Sequence, residues 1–275
     1  MRLKPAIFLA DERRVSDRLS TRPDVPECDI HPGVGGRATA RSACLQTLAV
    51  TYCCGVPSED HVSSDRAVYD MTAETYVQFA GTEINSATEH PIDRSLLLAF
   101  VELIRSQAVR RVADVGCGPG RVASLMADHG LSVLGVDVSP AMIAIASAAH
   151  PHIEFVEGQL DALPIESRAL AGAVCWYSII HTPRCRLVEA FKELARVLVP
   201  GGLLLLAFQA EGESLHREDA FGSGLPLTSY RHSVSDVVGH LEESGFRIST
   251  TAIRAAELEH ETTSQGFVIA SGPGY

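Results

Sequence analysis

Two carboxylates and a run of glycines carry the clearest chemistry in this chain. Asp114 stands two residues ahead of Gly116, and Gly116, Gly118 and Gly120 follow at every second position within RRVADVGCGPGR, residues 110–121. Glycines lack the Cβ that would keep a ligand off the backbone. The small or β-branched Val112, Ala113 and Val115 ahead of them suit a buried strand, and Val122, Leu125 and Met126 after them recur at helical spacing. Strand, glycine turn and helix in that order open a nucleotide-binding α/β unit. The spacing is GxGxG, not the dinucleotide GxGxxG, although the small Ala123 follows. Asp137 lies 23 positions after Asp114, at the end of the next apolar stretch. A carboxylate there can accept from adjacent ribose hydroxyls. His181 is the candidate general base, because neutral imidazole takes a phenol or enol proton near neutral pH. Its alternative role is to fix a loop by hydrogen bonding.

The surrounding elements alternate. Residues 66–80 predict a helix with Val68, Thr72, Tyr76 and Phe79 or Val77 on one side, and Pro91 opens a second over 92–107. Strands are expected at 132–136, 152–156, 171–177 and 203–208. A helix capped by Ser139 runs over 141–149, with Pro140 at its first position, and another runs over 186–198. Pro200-Gly201-Gly202 predicts a sharp turn before Leu203. A helix at 233–244 precedes strands at 246–254 and 265–270, which have no helical pattern between them and form an antiparallel edge pair. The fold class expected is α/β, a doubly wound, seven-stranded, mainly parallel sheet ending in an antiparallel hairpin.

Composition narrows the function. The chain has 275 residues, 46% of them hydrophobic, and a formal net charge of −11, which argues against wide contact with nucleic acid. No run reaches the roughly 18 apolar residues of a membrane span. The apolar run Pro5–Ala10 is too short for a secretory signal, so a cytoplasmic location is expected. Seven cysteines contain no CxxC pair, which predicts reduced thiols and no zinc or other metal site. Residues 1–65, broken by prolines and the Gly33–Gly36 cluster, read as a disordered or non-native extension. A natural start near Val62 or Met71 is one expectation; separately, 66–275 is expected to be the functional domain, with lid helices over 66–108.

From about Tyr69 to Ala270 the chain resembles the class I S-adenosylmethionine-dependent methyltransferases. The motifs carrying the resemblance are VADVGCGPG (112–120), VDVS (136–139) with Met142, GQLDALP (158–164), AVCWYSIIHTPR (173–184) and LARVLVPGGLLLLAF (194–208). More narrowly, WYSIIHTP and LLLLAFQ look like the type 11/25 group of small methyltransferases common in actinobacteria. The resemblance implies S-adenosyl-L-methionine as cofactor. Asp114 would lie near its ammonium group, directly or through water, or would merely cap the turn. Gly116, Cys117, Gly118 and Gly120 would cradle the methionine and ribose parts. Asp137 and Val138 would hold the ribose, and Met142 would cover the adenine. The family's Gly-Asp-Ala after the third strand is Gly158-Gln159-Leu160 here, so the adenine amino group would meet the Gln159 amide or the Leu160 backbone. Trp176 would face methionine and substrate or belong to the core. Tyr69 and Tyr76 would close over the cofactor, and Tyr230, Arg231 and His232 are further acceptor candidates.

The function implied is methyl transfer to a small-molecule acceptor, with oxygen favoured because of His181. The expected partners exclude nucleic acid and membrane, and the expected assembly is a monomer or homodimer. Two alternatives use the same residues: a nicotinamide-dependent oxidoreductase, and a catalytically inactive S-adenosylmethionine-binding protein.

Overall fold

The computed structural model describes residues 58–107 and 109–274. Expectations for the chain ahead of Ser58 lie outside the described residues. Helix α1 (Ser58–Ala80) begins before the predicted residue 66, and α2 (Pro91–Arg105) ends slightly early. The nucleotide-type unit then follows as β1 (Arg111–Val115), α3 (Arg121–Asp128), β2 (Ser132–Asp137), α4 (Pro140–Ala149) and β3 (Glu154–Glu157). Next come β4 (Leu170–Trp176), α5 (Leu187–Val197), β5 (Leu198–Gln209), β6 (Leu215–Arg217) and β7 (Leu227–Ser229). The chain continues with α6 (Val234–Glu243), β8 (Arg247–Arg254) and β9 (Gln265–Ser271).

Seven strands form one sheet in the order β3-β2-β1-β4-β5-β9-β8, and β6 pairs with β7 apart from it. The pairs from β3 to β5 are all parallel. β9 runs antiparallel to both β5 and β8. The predicted hairpin therefore exists, but β9 is inserted inside the sheet and β8 forms the edge. The expected turn at Pro200-Gly201-Gly202 lies within β5, which starts at Leu198: Gly201 has φ +73°, and the pairing with β4 jumps from Leu198 opposite Leu170 to Leu203 opposite Gly172.

Side chains alternate across the sheet and build a core on each face. Leu204, Leu206 and Phe208 of β5 meet Leu187, Phe191 and Leu194 of α5 and Val237 and Leu241 of α6 on one face. Leu205 and Ala207 meet Leu97, Phe100 and Ile104 of α2 and Met126 of α3 on the other. On α2, Leu97, Phe100, Val101 and Ile104 are buried, while Ala99 and Leu103 are exposed. Cys117 and Cys175 are free and buried. Cys185 is disulfide-bonded, which corrects the expectation that all the thiols are reduced.

Among the described residues no helix is long and apolar enough to cross a membrane. Nor does any group of three or more His, Cys, Asp or Glu among them come together as a metal site.

Candidate active site

The C-terminal ends of β1, β2, β4 and β5 open onto one cavity of about 550 Å3, roofed by α1 and by the β6–β7 pair. Tyr69, Tyr76, Gly116, Gly118, Asp137, Val138, Met142, Gln159, Leu160, Trp176 and His181 all line it. Asp114, Cys117 and Gly120, predicted beside them, do not.

Those three lie beneath the cavity for identifiable reasons. Asp114 is buried, and its Oδ2 accepts from the Ala123 N–H at 2.9 Å, tying the strand end to the first turn of α3. This is the capping arrangement. Its Oδ1 has no hydrogen-bond partner among the described residues. Burial pushes the Asp114 carboxyl up to about 7, with the Ala123 N–H opposing. Cys117 is buried, and its N–H donates to Val136 at 3.0 Å. Gly120 faces packing: a Cβ there would lie 2.9 Å from His150 Cδ2 and 3.0 Å from Phe155 Cζ.

Gly116 and Asp137 shape the cavity directly. Gly116 has φ +73°, and a Cβ on it would come within 2.2 Å of Ser178 Cβ, so no other residue fits the turn. Asp137 Oδ2 accepts from the Gly118 N–H at 2.8 Å, and Oδ1 accepts from the Ser139 N–H at 2.9 Å. Two backbone donors fix the carboxylate plane toward the cavity. Burial raises its pKa while these N–H groups oppose the rise.

His181 sits in the short helical turn after β4. Its Nδ1 lies 2.9 Å from the Thr228 carbonyl and its Nε2 lies 2.7 Å from the Tyr69 hydroxyl. A carbonyl only accepts, so Nδ1 carries the proton in the neutral ring and Nε2 accepts from Tyr69. Burial pushes the Tyr69 hydroxyl well above its ordinary pKa, which keeps it a donor. His181 thereby joins α1, its own loop and β7. Tyr230 lines the cavity; Arg231 turns away to donate to Thr262 Oγ1 at 2.8 Å, and His232 is buried.

Sequence reasoning missed several lining residues. Glu89 and Arg121 form an ion pair at 2.8 Å, with side chains 2% and 11% exposed. Arg121 also donates to Thr88 Oγ1 at 2.9 Å. Gln209, Arg217 and Glu261 line the cavity from β5, β6 and the β8–β9 connection. Arg121 adjoins the glycine turn and was within reach of pattern reading. Glu89, at the end of a polar loop, had no such marker.

The cradle at Gly116 and the braced Asp137 carboxylate fit an amino-acid-bearing nucleoside. A methyltransferase domain model matches residues 112–202. A demethylmenaquinone methyltransferase of Chlorobaculum tepidum is 28% identical over 189 residues, covering 67% of this chain and 73% of the relative. These matches support a class I S-adenosylmethionine-dependent methyltransferase. An uncharacterised methyltransferase of Mycobacterium tuberculosis is 30% identical over 118 residues, 42% of this chain and 46% of that one. Against such relatives the chain spans about half their length. The magnesium protoporphyrin IX methyltransferase of Synechocystis, solved with bound S-adenosylmethionine, aligns with a TM-score of 0.56 at 18% identity, covering 77% of this chain and 97% of its own. That likeness speaks for the fold alone. The methyltransferase domain match and the methyltransferase relative support S-adenosylmethionine as the cofactor, and the oxidoreductase alternative falls away.

Proposed function

We propose that this methyltransferase acts on a small-molecule acceptor, with oxygen the favoured nucleophile, and that residues 66–275 form the functional domain with α1 and α2 as its lid. Bound S-adenosylmethionine supplies an electrophilic methyl group on a sulfonium. The residues of this chain bind it, orient the acceptor and exclude water. The Asp137 carboxylate accepts from the ribose hydroxyls, and Glu89 and Arg121 offer opposite charges to the amino-acid end. Met142 and Gln159 flank the adenine, and Asp114 acts through the turn it braces. The relative named for demethylmenaquinone supports a small acceptor.

The observation that carries this reading is one continuous cavity joining the braced Asp137 to His181. His181 serves as proton acceptor once a substrate hydroxyl replaces that of Tyr69 at Nε2. In-line alignment in a dry cavity supplies the remainder of the rate enhancement.

Calorimetric titration with S-adenosylmethionine and S-adenosylhomocysteine is the test. Micromolar binding is expected in the wild type, with a loss of about 100-fold in Asp137→Ala, which removes two ribose acceptors and their backbone braces. Binding that survives in Asp137→Ala overturns the assignment of the ribose site. A folded wild type that binds neither ligand removes the whole reading.

A further inference from the structure

Among the described residues, Arg217 is the lining arginine without a counter-charge. It lies half-buried on β6 and lines the cavity, while no hydrogen bond or ion pair reaches it from any described residue. The other lining arginines are matched: Arg121 with Glu89 at 2.8 Å and Arg186 with Asp161 at 2.7 Å. Carboxylates next to Arg217 in the chain are engaged elsewhere. Glu218 lies 3.5 Å from His216, and Asp219 Oδ1 accepts from the Gly224 N–H at 2.7 Å. Asp65 also lines the cavity, and burial pushes its carboxyl up to about 7. Burial also lowers the Arg217 pKa, yet a guanidinium stays charged at any neutral pH. A cation held half out of water with no counter-charge is costly unless a ligand supplies one.

Tyr69, which interacts electrostatically with Arg217, belongs to an aromatic stretch of the cavity wall. The Tyr69 ring stands 6.0 Å from Tyr76 and 6.3 Å from Phe221, and Tyr76 stands 6.4 Å from Phe221. Phe221 adopts φ 55°, a backbone region that a bulky side chain occupies only where its surroundings impose it. Val68, Ala220 and Leu227 pack together behind these rings and fix the roof to α1.

We propose that the acceptor is an aryl carboxylic acid whose carboxylate pairs with Arg217 while its ring lies against Tyr69, Tyr76 and Phe221. A planar guanidinium takes a carboxylate through two parallel hydrogen bonds, which fixes orientation as well as charge. A neutral acceptor of the same shape would leave Arg217 unpaired. The inference rests on the methyl-transfer reading above and adds the acceptor's class.

The full chain, saturated with S-adenosylhomocysteine, is titrated with 4-hydroxybenzoate and 4-hydroxycinnamate and with the methyl ester of each. The free acids are expected to bind about tenfold tighter than their esters. That preference is expected to vanish in Arg217→Ala and to survive in part in Arg217→Lys. Unchanged S-adenosylhomocysteine affinity and circular dichroism in both variants show that the fold and cofactor site persist. Esters binding as tightly as acids, a preference that survives in Arg217→Ala, or no acid binding to the saturated protein would each overturn the proposal. Failure of S-adenosylhomocysteine itself to bind is a separate result. It removes the methyl-transfer reading, and the acceptor class with it.

Discussion

Asp114 ends β1 with one carboxylate oxygen bonded and the other orphaned, and its titration follows from that. Its carboxyl is pushed to about 7 in the folded chain, against about 3.9 for an unfolded Asp. Between these values the native state binds more protons than the unfolded one. Stability is therefore highest below the unfolded value and falls as pH rises toward the folded one. The full loss is on the order of 4 kcal/mol, at about 1.4 kcal/mol per pH unit. In urea unfolding at pH 5 and pH 8, Asp114→Asn is expected to shrink the stability gap between the two conditions; an unchanged gap refutes the assignment. Asp114, Gly116 and Asp137 were legible in the sequence because strand, turn and carboxylate lie within one local unit. Arg217 and Glu89 were not. Their meaning depends on which distant residues leave them paired or unpaired, and no spacing encodes that.

Among the elements, α1 is joined to α4 through a shared cap. The Ser139 side chain accepts from the Met142 N–H at 3.2 Å, while its hydroxyl donates to Asp70 Oδ1 at 2.6 Å. The same Asp70 oxygen accepts from the Ala141 N–H at 3.2 Å, so one carboxylate on α1 sits at the positive end of α4. Asp70→Ala is expected to cost about 1 kcal/mol, the worth of a helix cap. Amide exchange in α1 should quicken by about fivefold, as that energy implies. Exchange that quickens equally throughout the chain would show that Asp70 supports the whole fold and not this junction. The Ser139-Pro140 cap was readable as a helix start, but its partner on α1 was not, being 69 positions away. The β6–β7 pair escaped prediction for another reason. Each strand has three residues, too few to display a period of two.

Across the whole molecule, Arg254 at the end of β8 fastens the sheet edge to α2 and to the segment beside the cavity. Its Nε and one terminal nitrogen donate to the two oxygens of Asp93 at 2.8 and 2.7 Å, and both terminal nitrogens donate to Glu261. Burial alone would raise the Glu261 pKa, but Arg254 and the Leu258 and Glu257 N–H groups outweigh it and hold it at about 2. Arg254→Met would strand two carboxylates, and a loss of about 3–5 kcal/mol is expected in denaturant unfolding. A loss below about 1 kcal/mol would mean that the cluster behaves as a solvated surface pair. The sheet itself was largely legible, because alternating strands and helices dictate parallel neighbours. The seat of β9 was not legible, since an apolar run such as GFVIAS states that a strand is buried without stating between which neighbours. That seat has a consequence for biosynthesis. β8 bonds to no strand of the sheet except β9, and β9 is translated after it. As the polypeptide leaves the ribosome, β8 has no strand to join and β5 keeps one open flank until residues 265–271 emerge. The sheet therefore closes only once residues 265–271 have been translated, when a single inserted strand seals two exposed edges at once.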